Sequence, residues 1–193
     1  MKKLLITGFA PFGGADANPS WLAVQSLPEQ VGEYTLCKLE IPTVFGAAAG
    51  QVFEEAALFR PDMILCVGMA AGRDAVTPER IAVNIRDARI PDHAGTQPRG
   101  DFVVHDGPAA YFATVPVEAM AQAIRDAGIP SSVSNSAGAY VCNDVMYTLL
   151  HRFSGTDVKV GFIHVPQLPE QGAPNMPLGT VTAALETAIL ACK

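Results

Sequence analysis

The sequence predicts an α/β fold, a single-domain sandwich in which helices flank a mainly parallel, twisted central sheet. Segments with the apolar periodicity of strands alternate with segments of helical periodicity along all 193 residues. Residues 62–68, "DMILCVG", are almost wholly apolar, which is typical of a strand covered on both faces. No linker, repeat or low-complexity segment interrupts the pattern, and the length is usual for one domain.

The first elements follow from short local signals. "KKLLIT" (2–7) predicts a buried strand that ends in a glycine-containing loop. Asn18 and Pro19 predict the start of a helix that runs to about Leu27, because Asn is a favoured N-cap and Pro fits the first helical position. "YTLCKLEI" (34–41) predicts the second strand.

In the middle of the chain, apolar spacing predicts some elements clearly and others less clearly. Residues 45–59 have the apolar spacing of a helix, and 62–68 form the third predicted strand. "RIAVNIR" (80–86) alternates as a strand does, whereas "DARIPDHAGTQPRGD" (87–101) is predicted to be mostly loop.

The last elements alternate again. Residues 115–128 predict a helix closed by a glycine, and "SSVSNS" predicts a short strand over 131–136. A helix over 139–153, a strand over 157–165 and a final helix over 178–192 complete the chain.

Composition excludes several classes of partner. The net charge of −6 and pI near 5.1, with no basic run, predict neither a nucleic acid nor an anionic membrane surface as partner. No segment approaches the ~18 apolar residues of a membrane span. The opening "MKKLLITGFAPFGG" has too short an apolar stretch for a signal peptide, so we expect a cytoplasmic protein.

The four cysteines do not indicate disulfides or a metal site. None forms a C-x-x-C pair, and the spacing of Cys and His residues is not that of a structural zinc site. Cys37 and Cys66 lie in predicted strands, where a buried, inert thiol is expected. Cys192 lies next to the end of the chain and carries no signal.

Four polar or glycine-rich features are predicted to meet at one edge of the sheet. Cys142 lies in the first turn of helix 139–153, and His164 ends strand 157–165. The loop Gly8 to Gly14 follows the first strand, and Glu79 follows the third. In open α/β sheets, ligands bind outside the carboxyl ends of the strands, which is the edge that these features share.

This placement allows thiol chemistry. The start of a helix stabilises a thiolate and lowers the pKa of its cysteine, although position alone leaves Cys142 equally compatible with a packed core thiol. His164, on a strand expected to neighbour the one that leads to Cys142, can take the thiol proton. Glu79 is the best-placed carboxylate to orient the imidazole. The other histidines, in polar loops or late in a helix, are weaker candidates: His93, His105 and His151.

Four blocks of the sequence together resemble one enzyme family. They are "TGFAPFGGADANPS" (7–20), "PERIAVNIRDARIPDHAGTQP" (78–98), "SNSAGAYVCNDVMY" (134–147) and "GFIHVPQLPEQ" (161–171). With them the chain resembles, over nearly its whole length, the pyroglutamyl-peptidase I (pyrrolidone-carboxylate peptidase) family of cytosolic cysteine peptidases.

The resemblance implies a function and roles for individual residues. It implies one peptidase domain over 1–193 that removes N-terminal pyroglutamyl residues from peptides through a thioester acyl-enzyme. Cys142 is then the nucleophile, His164 the general base and acid, and Glu79 the third member of a triad. The resemblance also implies no metal, no organic cofactor and assembly into a homotetramer or dimer.

A pyroglutamyl group is a flat, neutral lactam, and its recognition requires apolar faces and a few hydrogen-bond partners. From sequence alone, Phe9 and Phe12 fit either such a pocket or the core. The resemblance implies that they line the pocket, together with Asn18, Ile90, Tyr140 and Val141.

The chain departs from the family pattern at two places. Met69 and Ala71 stand in "GMAAGR", where the family usually has G-Q-A-G-G-R, and Ala10 stands where Glu is usual. Three alternatives remain open. They are another acyl-transfer hydrolase with the same triad, a nucleoside phosphorylase, because the family's fold is similar although no phosphate-binding motif is present, and a non-catalytic binding protein, which Met69 and Ala71 keep open.

Overall fold

A computed structural model describes residues 1–193, and its centre is a six-stranded sheet in the order β2-β3-β1-β4-β10-β5. The strands are β1 Lys2–Phe9, β2 Gln30–Val31, β3 Tyr34–Ile41, β4 Met63–Met69, β5 Thr77–Pro78, β6 Ile81–Val83, β7 Arg86–Asp87, β8 Arg99–Asp101, β9 Ala110–Phe112 and β10 Lys159–Val165. The α-helices are α1 Pro19–Ser26, α2 Ala47–Phe59, α3 Val117–Asp126, α4 Val141–Arg152 and α5 Leu178–Leu190, and a 3₁₀ turn spans Pro169–Gln171.

The central strands of the sheet are parallel. β1 pairs in parallel with β3 and β4, and β4 pairs in parallel with β10. The short strands at the two edges, β2 and β5, are antiparallel to their neighbours. The prediction of a mainly parallel sheet is therefore confirmed, and the carboxyl ends of β1, β4 and β10 lie side by side.

Helices cover both faces of this sheet. Successive residues of β1 alternate between two buried clusters: Leu4 belongs to the cluster that contains residues of α1, α3 and α5, and Leu5 to the cluster that contains residues of α2 and α4. Residues 62–68 include Met63 and Ile64, which divide between the two clusters in the same way. This alternation explains why the central strands are apolar throughout rather than at every second position.

The first loop is held tightly against the sheet. The Asn18 side chain accepts a hydrogen bond from Ser20 N (3.1 Å) and caps α1, as the sequence predicts. Ser20 Oγ in turn accepts a hydrogen bond from Phe9 N at 3.0 Å. A Cβ atom at Gly8 would lie 2.5 Å from Trp21 Cα, so only glycine permits this close packing of α1 on β1.

Two segments differ from their predictions, and the strand of His164 does not neighbour the segment that leads to Cys142 as expected. Residues 80–86 form two short strands, β6 and β7, which pair with β9 and β8 in separate two-stranded sheets outside the main sheet. Residues 131–136 form only isolated bridges, in which Ser131 pairs with Val76 and Ser134 with Glu79. Consequently β5 and Glu79, rather than a regular strand from 131, lie beside β10.

No helix of the structure has the length and apolar character needed to cross a membrane.

Candidate active site

The sequence-predicted nucleophile, base and carboxylate lie at the carboxyl edge of the sheet. Cys142 is the second residue of α4, and His164 is the last but one residue of β10. Glu79 follows β5 directly, and its backbone N–H donates to Phe162 O at 2.8 Å. Glu79 and His164 are buried, with 0% and 4% of their surfaces exposed, whereas Cys142 is half-buried.

Gly68 fixes the position of the thiol relative to the imidazole. His164 pairs with Gly68 in the β4–β10 register, so the side-chain directions of these two residues point to the same face of the sheet. A Cβ atom at Gly68 would lie 3.1 Å from Cys142 Sγ. The thiol and the imidazole are thus neighbours on one face, with Phe162 beneath them at 4.8 Å between its ring centroid and that of His164.

The carboxylate orients the imidazole. His164 Nδ1 lies 2.7 Å from Glu79 Oε1, where it donates its hydrogen to the carboxylate. Burial lowers the pKa of His164, although the hydrogen bond and charge of Glu79 oppose this effect. Burial raises the pKa of Glu79, but the hydrogen bonds that its carboxylate accepts from His164, Ser134 and Arg73 outweigh this effect and leave the pKa below its usual range. Hence Glu79 is ionised, and His164 is a neutral imidazole with Nε2 free to accept a proton.

A cation also binds this carboxylate. Arg73, in the loop between β4 and β5, donates from Nη1 to Glu79 Oε1 at 2.6 Å and from Nη2 to Ser136 O at 3.1 Å. It also donates to Thr77 Oγ1. Arg73 was not among the residues predicted from the sequence, because a single arginine in a loop of small residues has no spacing that indicates a partner.

The protonation state of the thiol differs from the expectation. The helix start predicts a lowered pKa, but burial raises the pKa of Cys142 to about 12, and the charge of Glu79 acts in the same direction. The charge of Arg73 and the backbone N–H of Cys142 oppose these effects without overcoming them. At neutral pH the site therefore contains a thiol and a neutral imidazole rather than an ion pair.

An apolar cavity of about 370 Å³ opens beside Cys142. Nine of its eleven lining residues are hydrophobic, and none is Asp or Glu. The lining residues are Phe9, Phe12, Ala15, Ala17, Asn18, Thr43, Met69, Ala71, Ile90, Tyr140 and Cys142. Five of the six residues predicted to bind substrate are among them; the exception is Val141, which is fully buried in the core between α4 and the sheet.

One wall of the cavity is a loop, residues 88–98, that carries Ile90. The carboxylate of Asp92 closes this loop by accepting hydrogen bonds from the backbone N–H groups of Ala94 (2.9 Å), Thr96 (2.8 Å) and Phe45 (2.9 Å). Tyr140 donates its hydroxyl hydrogen to Pro91 O at 2.9 Å and so ties the loop to the start of α4.

The remaining histidines and cysteines lie outside the proposed chemistry. His105 and His151 are exposed, and His93 contacts Phe12 edge-on with ring centroids 6.1 Å apart. Cys66 is fully buried as predicted, and burial raises its pKa to about 12. The prediction for Cys37 is wrong in part, because its thiol is only half-buried and contacts Glu55 Oε1 at 3.4 Å.

Several cavity residues are small or chemically inert and could not be predicted from the sequence. Ala15, Ala17 and Thr43 line the cavity without any motif that marks them. Met69 and Ala71, noted above only as departures from a family pattern, both reach the cavity wall.

Comparison with known proteins finds close relatives over the full chain. A sequence model of the family described as pyroglutamyl peptidase matches residues 2–193. The chain is 50% identical over 197 residues to the pyrrolidone-carboxylate peptidase of Escherichia fergusonii, covering 98% of this chain and 92% of the relative. It is 51% identical over 197 residues to that of Levilactobacillus brevis, covering 98% and 96%.

Solved structures agree with these relatives. The crystal structure of Bacillus amyloliquefaciens pyroglutamyl peptidase I matches with a TM-score of 0.96 and 41% identity, covering 100% of this chain and 97% of that one. The pyrrolidone carboxyl peptidase from Thermococcus litoralis matches with a TM-score of 0.95 and 38% identity, covering 100% and 93%.

Proposed function

Because the chain belongs to the pyroglutamyl peptidase family and is a peptidase, we propose that it removes N-terminal pyroglutamyl residues through a Cys142–His164–Glu79 triad. Residues 1–193 then form one catalytic domain. The observation that carries the proposal is the hydrogen-bonded pair of Glu79 and His164 at the same sheet edge as Cys142, whose thiol lines an apolar cavity.

The reaction begins with a neutral site. Cys142 Sγ attacks the carbonyl carbon of the pyroglutamyl residue while its proton passes to His164 Nε2. Because burial disfavours an isolated thiolate and an isolated imidazolium alike, the two charges form together and only as the carbonyl is attacked. Glu79 stabilises the imidazolium through its hydrogen bond to Nδ1.

Release of the amine and then of pyroglutamate returns Cys142 and His164 to their neutral forms. The tetrahedral intermediate collapses as His164 gives its proton to the departing amine, which leaves a thioester on Cys142. A water molecule then attacks the thioester and gives one proton to His164, which returns it to the sulfur as free pyroglutamate departs. Backbone N–H groups at the start of α4 are available to the oxyanion: those of Val141, Cys142 and Asn143 donate to no protein acceptor.

The cavity supports selectivity for a lactam. A neutral ring fits apolar walls, whereas the ammonium group of an ordinary peptide needs an anionic partner, and no lining residue is Asp or Glu. The Asn18 side chain, which lines the cavity, is held in place by hydrogen bonds within the protein. Its Oδ1 accepts from Ser20, and its Nδ2 donates to Ala10 O at 3.2 Å. Free-amine peptides are therefore expected to be poor substrates.

Hydrolysis of pyroglutamyl-coumarin amide, beside the free-amine glutamyl analogue, tests the proposal. We expect selective turnover of the pyroglutamyl substrate by the wild type and a loss of about 10³-fold or more in Cys142→Ser. Cys37→Ser is the matched control, because this second half-buried thiol lies on β3, outside the cavity. Equal turnover of both substrates would indicate a different acyl-transfer hydrolase, and a folded, inactive wild type would indicate a binding protein.

The resemblance also predicts assembly into a homo-oligomer and a location in the cytoplasm. Light scattering at several protein concentrations tests the first of these predictions.

A further inference from the structure

Arg73 is the only cation that binds the carboxylate of Glu79 together with His164. Its Nη1 lies 2.6 Å from Glu79 Oε1, and His164 Nδ1 lies 2.7 Å from the same oxygen. The Glu79 side chain is fully buried, and that of Arg73 is 29% exposed. This carboxylate oxygen is therefore shared between a permanent cation and the imidazole.

We infer that Arg73 is a positioning residue of the thiol chemistry, which fixes the Glu79 carboxylate and keeps His164 an uncharged base. This inference rests on the proposed function and adds to it a residue that contacts neither the substrate nor the reacting atoms.

The hydrogen bonds of the Arg73 guanidinium support this role. Nη1 binds Glu79, while Nη2 donates to Ser136 O, in the segment that leads into α4. One guanidinium thus joins the carboxylate to the chain that carries Cys142, and its planar shape fixes both contacts at once. A lysine at this position can keep the charge but cannot span both acceptors in the same way.

The charges around His164 support the same role for Arg73. An ionised carboxylate alone beside His164 stabilises the imidazolium, whereas a general base must be neutral when the thiol arrives. The ionisable groups that face His164 are Glu79 after β5, Arg73 from the preceding loop and Cys142 from α4. Burial lowers the pKa of His164 and Glu79 raises it, while the charge of Arg73 lowers it. Removing Arg73 therefore leaves the Glu79 charge unbalanced and raises the pKa of His164.

The test compares wild type, Arg73→Gln and Arg73→Lys, with Arg80→Gln as the matched control. Arg80 pairs with Glu118 on the surface, where both side chains are exposed. We expect Arg73→Gln to lower kcat/KM for pyroglutamyl-coumarin amide about tenfold or more at pH 6 and to move the acid limb of its pH profile upward. Arg73→Lys should recover part of both effects, and Arg80→Gln should match the wild type.

A second measurement is independent of turnover. NMR titration of the His164 ring signal, assigned by its loss in His164→Gln, should show a higher pKa in folded Arg73→Gln than in the wild type. An unchanged His164 titration in folded Arg73→Gln would refute the inference even if activity fell. If the wild type does not cleave the substrate, the proposed function fails, while the titration still decides the role of Arg73. Should Arg73→Gln not fold, the same titration is read in Arg73→Met, which also removes the charge.

Discussion

Gly68 leaves the space that Cys142 occupies, and its replacement by alanine should lower both the stability of the protein and its rate of hydrolysis. The new methyl group would lie 2.8 Å from Phe162 Cζ and 3.1 Å from Cys142 Sγ. The Phe162 ring is fully buried and packs against His164, so either the ring or the thiol must shift by a few tenths of an ångström.

The size of each effect follows from this crowding. Overpacking a core typically costs about 1–3 kcal/mol, so we expect the free energy of unfolding in urea to fall within that range. Since a displacement of about 1 Å lowers rates by about 100-fold, a shift of a few tenths should lower kcat/KM by about tenfold.

Gly50→Ala is the matched control. Gly50 lies inside α2 with open space at the position of a Cβ atom, so alanine should stabilise the helix by about 0.5–1 kcal/mol and leave kcat/KM unchanged. If Gly68→Ala lowered the free energy of unfolding but hydrolysed the substrate at the wild-type rate, the expectation that the added methyl group displaces the thiol from His164 would be refuted.

Four further outcomes are expected. The acid-side decline of wild-type kcat/KM should be centred below pH 6.5, because burial lowers the pKa of His164 from its ordinary 6.5 and a protonated imidazole cannot accept the thiol proton; a decline centred above pH 6.5 would contradict this. Tyr140→Phe loses the hydrogen bond to Pro91 O, so KM should rise about fivefold in steady-state assays. Asp144→Ala leaves Arg86 unpaired and should cost about 3 kcal/mol in urea unfolding. Asn18→Ala removes the cap of α1, and thermal unfolding should show a loss of about 1 kcal/mol.

The regular part of the fold could be predicted because each element carries its own local signal. The cap at Asn18 and the apolar run 62–68 are signals that depend only on residues close in sequence. As a result, α1 and β4 lie within two residues of their predicted bounds. The segment 131–136 has no such signal. It is extended because it pairs through single bridges with Val76 and Glu79, and these partners are distant in sequence.

In the candidate site, too, some features follow from local sequence and others depend on the assembled fold. Cys142 and His164 could be placed because the ends of parallel strands and the starts of the following helices share one edge. The direction in which the pKa of Cys142 shifts could not be predicted, because burial is a property of the assembled core and outweighs the local effect of the helix start. Arg73 was missed for a similar reason, since its contact with Glu79 depends on the path of the loop after β4.

The closed 88–98 loop has a thermodynamic consequence for substrate capture. Asp92 and Tyr140 hold the wall that carries Ile90 through hydrogen bonds made within the protein, so no segment must become ordered when the ring enters. Calorimetry of an inert pyroglutamyl ligand should therefore show the negative heat-capacity change of apolar burial without the large entropy loss of coupled folding. We therefore expect affinity in this site to be set by the fit to a preformed cavity rather than by the closing of a lid.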